Sequence, residues 1–152
     1  MITTVTFVTK VLLSLHVIAA ILAVGPVTVA ASMFPAAARR ERAQLPLLHR
    51  ICRVYAGLGV AVPVFGFATA SFMGVLGDVW LLVSIALTAV AAFVLVFQVL
   101  PGQAKLLAAD SGDGAVLTRV TTRLGMYTGI FNLLWATVTV LMIVRPGSTT
   151  GA

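Results

Sequence analysis

The chain has 152 residues and a formal net charge of +6, yet only 9% of its side chains are charged and 61% are hydrophobic. Globular domains carry about a quarter charged residues, so this composition cannot clothe a surface meant for water. A lone cysteine, Cys52, excludes an intrachain disulfide and any multi-cysteine zinc or iron–sulfur site.

Four stretches lack Asp, Glu, Lys and Arg altogether: 11–38, 54–77, 79–104 and 124–144. A helix needs roughly 20 mostly apolar residues to cross a hydrocarbon layer of about 30 Å. The sequence therefore predicts an all-α membrane protein, one integral domain formed as a four-transmembrane-helix up-and-down bundle. Expected spans are 8–33, 54–75, 79–102 and 122–144, with cytoplasmic loops at 34–53 and 103–121. The first apolar run is far longer than the roughly 7–15 residues of a signal-peptide core, and it reads as a mature helix.

Span one carries His16, the main candidate for chemistry. An ionisable group within a membrane helix is costly and usually faces the bundle interior. At helical spacing its face continues through Leu12, Ala19, Ala20, Ala23 and Val27. The alanines leave room beside the imidazole, either for a flat cofactor such as haem or for the close approach of a second helix. A neutral imidazole can ligate iron or copper, or hydrogen-bond to a neighbour. Pro26, next to Gly25, is expected to kink the span.

Pro35 and Pro46 break the first loop, which is expected to include a short amphipathic piece lying on the membrane. His49, beside Arg50, is either an interfacial residue or part of a separate inner site. It lies too far along the chain from His16 to share one iron with it. Pro63 interrupts span two, and residues 74–78 form a tight turn before Trp80 at interface depth. Met73 and Met142, toward the outer ends of spans two and four, are weak candidates for a second axial ligand beside His16.

Gln98 in span three and Asn132 in span four are the other strongly polar intramembrane side chains, and helix cross-linking is their default role. The stretch 110–114 reads as a solvated turn, flanked by helical extensions over 103–109 and 115–123. Arg53, Tyr55 and Gly57 at the start of span two are echoed by Arg123, Tyr127 and Gly129 at the start of span four, a faint hairpin repeat.

Eight of the ten basic residues fall in the two longer loops: Arg39, Arg40, Arg42, Arg50, Arg53, Lys105, Arg119 and Arg123. The positive-inside rule then puts both loops in the cytoplasm and both termini outside. The same residues are placed to meet anionic lipid headgroups. No aromatic stacking surface accompanies them, so no nucleic-acid partner is expected. No Walker loop, paired catalytic carboxylates or serine nucleophile motif appears, and no carboxylate lies within a span to relay protons or sodium.

The first span, from Lys10 through Leu15-His16 to Gly25-Pro26, resembles the opening of a bacterial family of small four-helix integral membrane proteins of unassigned function. The basic first loop, through Arg39-Arg40 and His49-Arg50, fits the same pattern. More distantly the Leu-His opening is similar to HemJ-type protoporphyrinogen oxidases and CopD-like membrane domains. Resemblance to the HemJ group implies haem b at the first-helix histidine, here His16. The aromatic-rich run that follows that histidine in HemJ proteins is absent, and so is a counterpart of their acidic-basic loop. The expectation is a bacterial inner-membrane protein with an outer-leaflet haem site and a redox role. A non-catalytic accessory subunit of a larger membrane complex, or a homo-oligomer, is the alternative, and a small-molecule or metal permease is a third.

Overall fold

A computed structural model describes residues 2–109 and 114–147, with side chains from residue 6 onward. Every regular element in these residues is helical. The elements are α1 (Ile2–Arg40), a 3₁₀ turn (Arg42–Gln44), α2 (Leu45–Leu58), α3 (Ala61–Met73), α4 (Val79–Val94), a π-helical turn (Leu95–Val99), α5 (Leu100–Ala108) and α6 (Gly114–Val144). They join into four rods long and apolar enough to cross a membrane: Thr6–Arg40, Arg42–Met73, Val79–Ala108 and Gly114–Val144.

The helices run further than the apolar stretches alone suggest. α1 passes through Pro26 and Pro35 unbroken and ends at Arg40. The first loop, expected over 34–53, therefore shrinks to a few residues around the 3₁₀ turn, where Gln44 donates to the Glu41 carboxylate. Pro46 does not break a helix. It occupies the first turn of α2, where its missing N–H would have no intrahelical partner anyway. The amphipathic piece is present as α2 itself, packed on α1 by Leu45, Leu48 and Cys52 rather than lying apart from the bundle. The solvated turn expected at 110–114 falls outside the described residues, except for Gly114, which opens α6.

Two other prolines do bend the backbone. Pro63 has no N–H for the Gly59 carbonyl, which takes the Val62 N–H instead at 3.1 Å, and span two is divided there into α2 and α3. Pro101 crowds the carbonyl four residues back and cannot bond to it. The chain answers with the π turn, in which the Leu100 N–H reaches the Leu95 carbonyl.

Contacts fix an antiparallel order. α1 lies along α2 and α3, α4 lies along α6, and α1 meets α6. The Ser32–Asn132 and His16–Val62 contacts give the directions. The tight turn between α3 and α4 is a Schellman cap. Gly74 sits at φ 70°, its N–H bonds to the Ser71 carbonyl, and the Val75 N–H reaches back to the Ala70 carbonyl.

One core cluster runs through the half of the bundle that carries the arginines. It joins Ala30, Ala31, Phe34, Ala37 and Ala38 of α1 with Leu45 and Cys52 of α2, Ala91 and Val94 of α4, and Leu106, Leu124 and Phe131. The alanines let the backbones approach, and Phe34 fills the centre with no exposed surface. A smaller cluster closes the opposite end around Trp80, with Ala70, Val75, Leu81, Met73 and Met142.

Candidate functional site

His16 is held by span two. Its Nδ1 lies 2.8 Å from the Val62 carbonyl oxygen of α3. A carbonyl only accepts, so Nδ1 carries the proton and donates, which leaves the lone pair on Nε2. The ring lies against Gly66, where an added Cβ would sit 3.0 Å from His16 Cε1. Glycine at 66 thus sets the helix approach that lets the hydrogen bond form. No described residue engages Nε2.

Met73 and Met142 are brought together, but not at His16. Both join the Trp80 cluster. Met73 lies seven residues beyond Gly66 on α3, about 10 Å along the axis, so this packing offers His16 no methionine as a second ligand. Among the described residues no group of three His, Cys, Asp or Glu side chains converges as a metal cluster. The residues at His16 therefore fit one side of a haem iron, through a single oriented imidazole.

Asn132 donates through Nδ2 to Ser32 Oγ at 3.0 Å and so ties α6 to α1. Its Oδ1 is buried with no partner, as are Thr128 Oγ1 and Trp135 Nε1. Residues 128, 132 and 135 fall on one face of α6 at helical spacing. Most intrahelical hydroxyls here, including Thr69, Ser84, Thr121 and Thr139, bond back to the carbonyl four residues earlier. Thr128 does not, although it is buried.

A second polar assembly lies at the basic end. His49 Nδ1 is 2.9 Å from Gln103 Oε1, and Gln103 Nε2 donates to Cys52 Sγ at 3.3 Å. Gln103 and Cys52 have no exposed surface. The amide orientation makes His49 the donor to Gln103, so polarity runs inward from α2 through α5 to the thiol. Nearby, Arg42 Nη2 donates to the Leu106 and Ala109 carbonyls at 2.9 and 2.7 Å, capping the C-terminus of α5.

Gln103 was not singled out by the sequence, whereas Gln98 was. The π turn explains the exchange. Regular helix spacing from Ala91 and Val94 would carry the inward stripe to residues 98, 102 and 105. One extra residue in the turn advances it to Val99, Gln103 and Leu106, all buried, and leaves Gln98 half-buried on the flank and Lys105 exposed. Pro101, at the end of an otherwise uninterrupted apolar run, was the available signal. Ser32 and Thr128 were also not anticipated.

Comparisons with protein-family models, with curated proteins and with solved structures find no match to this chain. The functional reading accordingly rests on the residues themselves.

Proposed function

We propose that the chain is a multi-pass protein of the bacterial cytoplasmic membrane, with its basic end in the cytoplasm and both termini outside. In this reading His16 serves as an axial ligand to haem b in a redox role. The observation that supports it most is the engaged Nδ1 of His16. Histidines that ligate metals typically donate their other ring N–H to a carbonyl or carboxylate, which fixes the tautomer and aims the lone pair. Val62 would supply that carbonyl, Gly66 would seat the ring, and Ala19 and Ala20 would keep the flank low. The haem would supply reversible one-electron chemistry, while the surrounding apolar helices exclude water.

The visible spectrum of the protein purified in mild detergent tests this reading. A Soret band present in the wild type and lost in His16→Ala is the expected result; a colourless protein after haem-replete expression overturns it. Cysteine labelling at Arg40→Cys and Lys105→Cys in sealed vesicles tests the orientation. Both should react from the cytoplasmic side only.

A second reading, an accessory subunit of a larger membrane complex, draws on α1. The N-terminal half of this helix leans on α3, while Phe7, Val17, Ile18, Ile21 and Leu22 face outward. Co-purification of a colourless chain with one defined membrane complex would favour it.

A further inference from the structure

The stripe of α2 that turns away from α1 borders a groove of about 430 Å³, lined by Pro46, His49, Arg50, Arg53 and Val54, with Leu107 of α5 opposite. Positions 46, 49, 50, 53 and 54 follow i, i+3, i+4, i+7, i+8 spacing, so α2 alone presents this wall. We infer that this groove is a binding site for the phosphate headgroup of an anionic phospholipid.

Several observations converge on that ligand. Arg50 and Arg53 are exposed and have neither a hydrogen bond nor an ion pair with another described residue. Among the described residues no carboxylate lines the groove, and Glu41 is occupied by Gln44. Two unpartnered guanidiniums one turn apart form a fork suited to the oxygens of a phosphate, and arginine binds such groups in bidentate fashion. The third polar wall is pre-set. His49 is anchored through Nδ1 to the buried Gln103, so its ring orientation costs nothing further on binding.

The rest of the groove is apolar. Leu107 and Pro46 face the headgroup backbone, while Val54 stands where α2 passes from the arginine level into the uncharged part of span two. An acyl chain can therefore leave the groove along the exposed side of Val54 and Leu58. A phosphate with no chain would leave these surfaces unused. Basic pockets between membrane helices on the cytoplasmic side bind acidic lipid headgroups by the same division of labour.

The test uses the full chain, purified and delipidated in neutral detergent, with thermal unfolding followed as lipid is added. Phosphatidylglycerol should raise the midpoint in a saturable way, and phosphatidylcholine at equal concentration should not. Arg50→Gln/Arg53→Gln should weaken the apparent affinity at least tenfold. Arg119→Gln/Arg123→Gln removes the same charge from α6, outside the groove, and should leave the affinity within about twofold. Leu107→Trp, which fills the groove without changing charge, should also abolish saturation. Equal loss in both double variants would reduce the effect to net charge and overturn the site. So would a saturable shift from phosphatidylcholine, or no shift from either lipid. Inorganic phosphate matching the phosphatidylglycerol shift would overturn the lipid assignment in favour of a soluble anion.

Discussion

The two halves of this bundle have nearly the same apolar character but are held together differently. In the basic half four helices converge on one core, and polar side chains bond across helices: His49 to Gln103, Gln103 to Cys52, Asn132 to Ser32, and Arg42 to the end of α5. In the opposite half, α1 has α3 as its neighbour, and the ends of α3, α4 and α6 are tied by the Schellman turn and the Trp80 cluster. Arg145 lies over the Trp80 ring at 5.6 Å, and Trp80 Nε1 donates to Asp78. Lipid tails are as apolar as leucine, so hydrophobicity cannot draw membrane helices together. Small residues and interhelical hydrogen bonds must do so, and they are concentrated at the basic end.

The sharpest way to break this comparison is to remove the same side chain from each half. Phe34→Ala should cost about 3–5 kcal/mol, as for other buried phenylalanines, whereas Phe72→Ala, on an exposed face, should cost under about 1 kcal/mol. Reversible unfolding in mixed micelles measures both, and equal costs would erase the distinction. Next in size, Gln103→Leu leaves His49 and Cys52 without their shared partner, and should cost about 1–3 kcal/mol.

Gly66→Ala forces the His16 ring to yield by a few tenths of an ångström, and about 1 kcal/mol of destabilisation is expected. The imidazole nitrogen resonances should shift with it. Gly129→Ala, where nothing lies within 4 Å, should be neutral or stabilising through helix propensity. The smallest effect belongs to the turn. Asp78→Ala loses the Trp80 hydrogen bond, at about 0.5–1 kcal/mol, with a change in tryptophan emission.

The number of apolar helices and their approximate places were legible because uncharged runs of that length have few other uses. Their ends were not. Pro35 and Pro46 signal helix breaks in isolation, yet α1 continues through the first, and the second falls in a helix's opening turn, where proline is tolerated. His16 and Asn132 stood out as polar groups in apolar surroundings, but their partners did not. Val62 contributes only a backbone carbonyl, which no side-chain pattern announces, and Ser32 is too common a residue to draw notice. Gln98 and Gln103 show the limit most clearly. Counting at 3.6 residues per turn chooses the wrong one of the two, because one added residue ahead of Pro101 rotates everything after it by about 100°.

The brevity of the Gly74 turn has a bearing on biogenesis. Only 74–78 connect α3 to α4, and Asp78 is the sole charged group among them. A connector this short cannot lag behind on one face of the bilayer while the next helix waits to enter. In the proposed orientation, the insertion machinery would therefore receive spans two and three as one pre-folded hairpin, with a single carboxylate as the cargo carried across.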